Sequence, residues 1–577
     1  MRTLLGLLFI ILLLPVGANA RSAAIASAHP LATQAGFEIL AAGGNAFDAA
    51  VAVSAALAVV EPYSSGLGGG GFWLLHVAKD KRYVMIDGRE TAPAAATADM
   101  YQDKNGKVMR DWALNGPSAA AIPGEPAALA WLADHYGKLG LAKDLAPAIA
   151  FAKNGFPADD HYRKLANFRR DVINRFPDTR AIFLHNGNVP DKNQLIVQTD
   201  LAATLSALAS EGHAGFYEGA VAKKLVDGVQ SMGGIWTLDD LKHYQVKERE
   251  PISGSFRGAR IISAAPPSSG GLVLLEALHI LEQFDAQQLS PTLTPHLVVE
   301  ALRRAYHDRA TLMGDPDFVS IPTAKLLSDD YAQTQAASIS LDHATPSSSL
   351  GKPVAVPQGM HTTHFSIVDG DGNYVAATLS INYPFGSGFV APGTGVLLND
   401  EMDDFSAKPG VPNVYGLVGS SANAIAPGKR PLSSMTPTFV EWDGKVAVLG
   451  TPGGSRIISM VLLGVLDALA GNPPSQWVAA PRYHEQYLPD EVQAEPVFVG
   501  SKAAVMLMNK GNRVVSTGRP YGNMQAILWN RKTGSLEAAS DPRGIGEALV
   551  GTPSTLIKDW QKPKPAPAKA TATTHQD

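Results

Sequence analysis

The sequence contains no cysteine among its 577 residues. This absence excludes disulfide bonds, thiol nucleophiles and thiolate metal sites, so any nucleophile must be a hydroxyl, an amine or a carboxylate. A strong charge of either sign is also missing, because 48 Lys and Arg stand against 53 Asp and Glu and no basic block is present. This balance argues against nucleic acid as a partner.

Apolar residues and turn formers are plentiful instead. The composition is 45% hydrophobic and 18% charged, with 55 Gly and 40 Pro, which is typical of a large globular protein rather than of a disordered or fibrous one. No repeat with a period of about 20 to 50 residues is apparent. Residues 562–577 are rich in Lys, Pro, Ala and Thr, have almost nothing to bury, and are predicted to form a disordered tail.

Residues 1–20, MRTLLGLLFIILLLPVGANA, have the three parts of a secretory signal peptide. A basic start at Arg2 precedes an apolar run from Leu4 to Leu14, and the segment closes with a small-x-small pattern that ends at Ala20. The alternative is a membrane anchor, but spanning a bilayer needs roughly 20 apolar residues and this run is shorter. We therefore expect cleavage after Ala20 and a periplasmic or secreted protein, the periplasm presupposing a Gram-negative source.

Hydrophobic periodicity predicts a mixed α and β protein. Residues 23–60 have helical spacing, and two strands are predicted at 72–77 and 83–86. Residues 124–250 alternate helical stretches with Gly- and Pro-rich turns and are expected to form a helical layer. From 361 to about 465 the pattern changes to short strands and turns, before another helix. Helices flanking a largely antiparallel sheet predict a layered α+β architecture.

Three patterns resemble ligand sites but lack the required context. Residues 66–71 match the dinucleotide motif G-x-G-x-x-G, yet a helical stretch precedes them and a strand follows, which is the reverse of what that motif needs. The acidic run from Asp369 resembles a calcium loop, but its sixth and twelfth positions are wrong, so a hairpin turn is the better interpretation. His361 and His364 would face opposite sides of a strand, so they could not bind the same metal ion. We expect no metal and no organic cofactor.

Residues 362–382, TTHFSIVDGDGNYVAATLSIN, are predicted to form a β-hairpin that turns at Asp371. This register places Thr362 opposite Ser380 and Asn382 one diagonal step further on the same face, while the other face is apolar. A bulge would change the register. The ordinary interpretation is a cross-strand hydrogen bond on an exposed face, because Thr is common in strands.

A second interpretation makes Thr362 a nucleophile. A threonine hydroxyl needs an adjacent base, and a threonine that begins a chain has its own α-amine for this purpose. That amine has a reference pKa of about 7.7 to 8.0, so it is available as a base near neutral pH. This chemistry requires that the peptide bond between His361 and Thr362 be cut.

The chain closely resembles the γ-glutamyltranspeptidase (glutathione hydrolase) family of N-terminal-nucleophile hydrolases. The motifs that carry the resemblance follow one another over almost the whole chain after residue 20: HPLATQAGFEILAAGGNAFDAAVA, EPYSSGLGGGGF, DGRE, PPSSGG, GDPDF, TTHFSIVD, NDEMDDFSAKPGVPNVYGLVG, RPLSSMTPT, GTPGGSR and PRYHEQYLPD. The resemblance implies a four-layer αββα sandwich and a precursor that cleaves itself before Thr362. The products would be a large subunit, 21–361, and a small subunit, 362–577, which form a heterodimer.

The resemblance also implies a role for each site residue. Thr362 falls on the processing site and the nucleophile, and Ser380 falls where members usually carry a second Thr that hydrogen-bonds the nucleophile. Arg89, Ser433 and Ser434 would bind the α-carboxylate of the substrate, and Asn382, Glu401 and Asp404 would bind its α-amino group. Gly453 and Gly454 would form the oxyanion hole. Tyr415 would belong to a lid loop. Without the resemblance, a solvated Arg, an acidic turn and a plain Gly-Gly turn would be the ordinary interpretations.

The implied activity is γ-glutamyl transfer from glutathione or other γ-glutamyl compounds to water, amino acids or peptides, through a γ-glutamyl-enzyme intermediate. Two alternatives stay open. A related glutaryl-cephalosporin acylase would use the same nucleophile on a donor that lacks the α-amino group. The second alternative is an exported binding protein that has this fold but is never cleaved into two subunits. The physiological donor and acceptor, the preference for hydrolysis or transfer, and the oligomeric state are not given by the sequence.

Overall fold

The structure is a computed structural model that describes residues 21–285, 288, 293–351 and 362–560. The predicted signal peptide (1–20), His361 and the predicted tail (562–577) lie outside the described residues. Among the described residues, no helix combines the length and the apolarity needed to cross a bilayer.

The helices and strands are numbered in chain order. The helices are α1 (Pro30–Ala41), α2 (Ala46–Val60), α3 (Arg110–Leu114), α4 (Glu125–His135), α5 (Leu141–Asp144), α6 (Ala146–Asn154), α7 (Asp160–Ile173), α8 (Pro177–Phe183), α9 (Thr199–Glu211), α10 (Ala214–Tyr217), α11 (Gly219–Ser231), α12 (Leu238–Lys242), α13 (Gly270–Glu282), α14 (Thr294–Leu312), α15 (Thr323–Leu326), α16 (Asp329–Ala337), α17 (Ile457–Leu469), α18 (Pro474–Ala479), α19 (Pro496–Val499), α20 (Lys502–Asn509) and α21 (Pro553–Trp560). The strands are β1 (Ala23–Ser27), β2 (Gly70–Val77), β3 (Arg82–Gly88), β4 (Phe156–Pro157), β5 (Leu195–Ile196), β6 (Lys247–Arg249), β7 (Ile252–Phe256), β8 (Ala259–Ser263), β9 (Thr363–Val368), β10 (Tyr374–Ser380), β11 (Thr438–Trp442), β12 (Lys445–Gly450), β13 (Tyr483–His484), β14 (Val492–Ala494), β15 (Val514–Ser516), β16 (Gln525–Asn530), β17 (Leu536–Ser540) and β18 (Glu547–Gly551).

Two antiparallel sheets form the centre of the molecule. The first has the strand order β18-β1-β9-β10-β2-β3-β6 and the second has the order β17-β16-β12-β11-β8-β7. One core lies between the sheets and reaches α13, α14 and α17 beyond the second sheet, and another packs α1 and α2 against the outer face of the first sheet. The predicted four-layer αββα sandwich is confirmed.

Strand β10 shows why the sheets stack. Tyr374 and Ala376 belong to the core between the sheets, whereas Val375, Ala377 and Leu379 belong to the core under the helices, as the period of two requires. The ordinary interpretation of the sequence placed the second face of this hairpin in water. That interpretation was wrong, because the second sheet covers this face.

Residues 23–27 were expected to be helical but form β1. All five residues, AAIAS, are buried, and the strand lies between β9 and β18. A short apolar run does not distinguish a helix from a buried strand by periodicity alone, so the pairing partners decided the outcome. The helices that follow begin at side-chain caps, since His29 accepts the N–H of Leu31 and Asn45 forms a capping box with Asp48.

The segments before and after Thr362 both contribute strands to each sheet. In the first sheet β1 pairs with β9 and β18, and β2 pairs with β10. In the second sheet β8 pairs with β11. A cut before Thr362 would therefore leave two pieces that share both sheets, and neither piece would keep a complete sheet.

Candidate active site

The hairpin that carries Thr362 has the register predicted from the sequence. Thr363 lies opposite Leu379 in the β9–β10 ladder, so Thr362, one residue before β9, comes next to Ser380 at the open end. Asn382 does not extend the strand by a diagonal step, because its φ of +71° turns the chain. The Asn382 N–H donates to Ser380 Oγ at 2.8 Å, which holds the turn beside the nucleophile candidate.

The far end of the hairpin is a turn built around Asp369. Its carboxylate accepts the N–H groups of Asp371 and Asn373, each at 2.9 Å. It also accepts the N–H of Ala46 at the start of α2, at 2.9 Å. These bonds account for the acidic run as a turn docked on a helix.

Most of the predicted site residues line one small pocket. The space within it is about 20 Å³, which is room for about one water molecule. Its predicted members are Arg89, Thr362, Ser380, Asn382, Asp404, Tyr415, Ser433, Ser434 and Gly454. Glu401 lies behind this wall against Arg89, and Gly453 lines a larger neighbouring cavity that also reaches Thr362.

The buried guanidinium of Arg89 is held by protein carboxylates. Arg89 Nη1 lies 2.7 Å from Glu401 Oε2 and 3.3 Å from Glu90 Oε2, and Nη2 lies 2.6 Å from Asp404 Oδ2. Burial opposes the charge of Arg89, but the three carboxylates outweigh burial and raise its pKa. The arginine predicted to bind a substrate carboxylate therefore already has anionic partners in the closed pocket.

Two carboxyl groups that contact Arg89 have raised pKa values. Burial raises the pKa of Glu90 to about 8 and also raises that of Glu401. In the same acidic turn, burial raises the pKa of Asp403 to about 7 and raises that of Asp400, which lie near Arg110 and Arg169. Burial disfavours the charged form of Glu90 and Glu401, whereas the guanidinium of Arg89 favours it. An entering cation would favour the ionised carboxylates, which makes the pocket suited to an ammonium group.

The serine pair is fixed by a second buried arginine that the sequence reasoning missed. Arg309 on α14 donates through Nη2 to Ser434 Oγ at 3.1 Å and through Nε to Ser269 Oγ at 2.8 Å. Ser269 Oγ in turn donates to the carbonyl of Ser433 at 2.7 Å. Burial lowers the pKa of Arg309. The sequence feature that could have identified Arg309 is an arginine within the apolar pattern of a helix. A buried arginine needs polar partners, so such a position indicates a buried polar site.

The predicted lid loop closes the small pocket. Tyr415 is buried, and its OH donates to the carbonyl of Asn382 at 2.6 Å. Asn413 ties the loop to the acidic turn, since its Oδ1 accepts the Tyr415 N–H at 3.0 Å and its Nδ2 donates to Asp404 Oδ1 at 3.1 Å. These contacts join the lid to both the nucleophile hairpin and the partners of Arg89.

The glycine pair lies where the two spaces meet. Gly454 lines the small pocket and Gly453 lines the larger cavity, and Thr362 lines both. Gly454 has a φ of +57°, and a Cβ there would lie 2.4 Å from the ring of Tyr415. A side chain at this position would collide with the lid, so glycine is required for the closed geometry.

Glu61 is a further candidate that the sequence reasoning missed. It follows α2, and its Oε2 accepts Thr363 Oγ at 2.7 Å while Oε1 accepts the OH of Tyr63 at 3.3 Å. Burial raises the pKa of Glu61 to about 7. Glu61 therefore holds the residue next to Thr362, and the signal for it was an acid among apolar residues at a helix end.

Comparison with known proteins supports what the geometry indicates. Residues 32–551 match the family model described as gamma-glutamyltranspeptidase. The chain belongs to the γ-glutamyltranspeptidase family. It is 42% identical over 539 residues to the glutathione hydrolase proenzyme of Escherichia coli (strain K12), covering 92% of each chain.

Solved structures of γ-glutamyltranspeptidases and acylases share the fold. The cephalosporin acylase from Bacillus halodurans superimposes with a TM-score of 0.80 at 29% identity, covering 94% of this chain and 99% of that one. The γ-glutamyltranspeptidase from Helicobacter pylori is 40% identical with a TM-score of 0.54, covering 56% of this chain and 93% of that one. The names of these two proteins refer to two different donors. The fold alone therefore does not identify the donor, and the residues of the pocket must distinguish the two.

Proposed function

We propose that this chain is the precursor of a γ-glutamyl hydrolase and transferase that cuts itself before Thr362. The large subunit is 21–361 and the small subunit is 362–577, and the two form a heterodimer. The observation that carries the proposal is the convergence of Thr362 with Arg89, Asp404 and a serine pair in one pocket. Both segments contribute strands to each sheet, which supports a heterodimer, because cleavage would leave the two pieces paired within the same sheets.

The chemistry starts at Thr362. Its Oγ attacks the γ-glutamyl carbonyl while its α-amine takes the hydroxyl proton, which forms the acyl–oxygen bond. The backbone N–H groups of Gly453 and Gly454 stabilise the oxyanion. The C–N bond of the donor then breaks as the leaving amine receives the proton. Water or an acceptor amine attacks the ester and returns the proton to Oγ. Ser380 hydrogen-bonds the nucleophile and orients it.

The pocket binds the two charged groups of a γ-glutamyl donor. Arg89, with Ser433 and Ser434, receives the α-carboxylate, because a planar fork binds carboxylate through two hydrogen bonds. Asp404 and Glu401, with Asn382, receive the α-ammonium. Both groups replace contacts that Arg89 and its carboxylate partners make with each other when the pocket is empty. Tyr415 closes over the bound donor.

Glutathione is the donor we propose first, since E. coli carries a relative named for its hydrolysis at 42% identity. We place the mature protein in the periplasm or outside the cell. This location is supported by the three-part pattern of residues 1–20 and by relatives of bacterial origin.

Mass analysis of the purified protein tests the proposal directly. We expect one chain that begins at Arg21 and another that begins at Thr362, with release of p-nitroaniline from γ-glutamyl-p-nitroanilide. A single uncut chain without activity would contradict the proposal and support a binding protein instead.

A cephalosporin-type acylase is the competing function, since the B. halodurans enzyme of that name shares the fold. The charged set in the pocket favours the γ-glutamyl donor, because a glutaryl group lacks the ammonium that Asp404 and Glu401 complement. Comparing turnover of γ-glutamyl-p-nitroanilide with that of glutaryl-p-nitroanilide separates the two. Preference for the glutaryl compound would reject our assignment.

A further inference from the structure

A second cavity also reaches Thr362. Its volume is about 360 Å³, within the range of about 300 to 1,000 Å³ that is typical of small-molecule sites. Because Thr362 lines both spaces, an acyl group bound on the Arg89 side leaves its departing amine facing the second cavity. Apart from Thr362 and Gly453, the function proposed above assigns no residue to that side.

One wall of this cavity is a face of α7. His161, Lys164 and Leu165 lie at positions i, i+3 and i+4 and line the cavity together. One turn further along the same face, Phe168 is 58% exposed and packs against Tyr383, with ring centroids 5.8 Å apart. The face thus combines one cation with apolar and aromatic surface.

The opposite wall is the loop 519–523, together with Pro542 and Arg543. Arg543 is committed to the protein, because it pairs with Glu495 at 2.7 Å and with Asp541 at 3.1 Å. Arg519 and Lys164 differ from Arg543 in having no such ion pairs in the part of the chain that the structure describes. Within the described residues neither has a carboxylate within ion-pair distance, and both side chains are exposed. Two cations without anionic partners therefore line a cavity that ends at the nucleophile.

The only carboxylate that lines this cavity among the described residues is Glu61. Its two oxygens are engaged by Thr363 and Tyr63. It is therefore not a partner for the cations across the cavity, and the wall has a net positive charge.

Resting on the function proposed above, we propose that Lys164 and Arg519 select donors and acceptors whose amine-side fragment carries a carboxylate. A leaving peptide such as Cys-Gly ends in a carboxylate, and so does an amino acid or peptide acceptor. An ion pair between an exposed cation and an anion contributes only a modest free energy. We therefore expect the two cations together to raise kcat/KM for a substrate with this carboxylate by roughly tenfold. The chemical steps at Thr362 are unchanged, because these residues bind the fragment that leaves or enters.

The test compares glutathione with its glycine amide, which differs only in the terminal carboxylate. We expect the processed wild-type protein to prefer glutathione roughly tenfold in kcat/KM, and added salt to reduce that preference. The double variant Lys164→Gln/Arg519→Gln should bring the ratio close to one. The charge reversal Lys164→Glu/Arg519→Glu should favour the amide.

The matched control is Lys153→Gln/Arg170→Gln, which removes the same charges from exposed positions outside the cavity. This control should keep the preference for the acid. A wild-type ratio near one, or a preference that survives the Lys164 and Arg519 variants, would overturn the proposal. If the processed protein turned over neither donor, the proposed function itself would fail, and that result is distinct from turnover without preference.

Discussion

The two spaces that meet at Thr362 differ in volume, in charge and in how firmly their walls are tied. The small pocket holds about 20 Å³, and its walls are cross-linked through Arg89, its carboxylates and the lid residue Tyr415. The second cavity holds about 360 Å³ and has exposed cations in its walls. Under the proposed function, a donor on the closed side exchanges internal ion pairs for its own contacts, whereas an amine on the open side meets cations that, among the described residues, have no such pairs to exchange.

The largest expected effect is at the residue that both spaces share. Thr362→Ala removes the hydroxyl required for attack, so we expect a single uncut chain and no measurable release of p-nitroaniline. Denaturing electrophoresis and the anilide assay check this. Thr533→Ala, at an exposed turn, is the control and should be processed and active. Two chains from Thr362→Ala would refute the assignment.

The next effect is on the closed side. Arg89→Lys keeps a charge but loses the planar fork, and charged hydrogen bonds contribute about 1.5 to 3 kcal/mol, so we expect kcat/KM for γ-glutamyl-p-nitroanilide to fall roughly 100-fold. Arg82→Lys, an exposed change at the start of β3, the strand that Arg89 follows, is the control. Mass analysis must first show the Thr362 terminus in both variants. An Arg89→Lys enzyme within twofold of the wild type would remove Arg89 from substrate binding.

A smaller effect is expected at Ser380. Its hydroxyl holds the N–H of Asn382, and loss of one hydrogen bond of about 1 kcal/mol should slow processing and turnover roughly fivefold in Ser380→Ala. Ser380→Thr keeps the hydroxyl and should retain both rates. Time courses of chain cleavage and of anilide hydrolysis measure the two steps. Wild-type rates in Ser380→Ala would exclude Ser380 from the site.

The smallest effect on turnover is expected at Glu61, because this residue should act on stability. Burial raises the pKa of Glu61 from 4.5 to about 7, so the folded state favours its protonated form. Its stabilising contribution is complete below pH 4.5 and is lost as the pH rises through about 7, to a total of about 3 kcal/mol. Glu61→Gln lacks this titration.

Melting temperatures at pH 5 and pH 8 test the role of Glu61. The wild type should lose more stability than Glu61→Gln between these values. Because other buried carboxyls titrate in both proteins, only the difference between the two proteins reports on Glu61. An equal loss in both would show that Glu61 does not titrate in this range.

Local patterns predicted several parts of the structure correctly. The hairpin register followed from its turn residues, because a turn fixes which residues oppose each other. The strands near 72–77 and 83–86 and the helix that ends the region near 465 were also found. β1 was missed because its residues, AAIAS, have no periodicity that separates a buried strand from a helix.

The sequence by itself determined the hydroxyl chemistry, the hairpin turn at Asp371 and the motifs that place this chain in its family. These depend on residue type and on neighbours close in the chain. Only the tertiary structure decided that Arg309 fixes the serine pair, that carboxylates hold Arg89, and that two cations face an open cavity. These contacts join residues that are 315 positions apart for Arg89 and Asp404 and 125 positions apart for Arg309 and Ser434. Burial and neighbouring charges, which spacing in the sequence does not reveal, shift the pKa values of such groups.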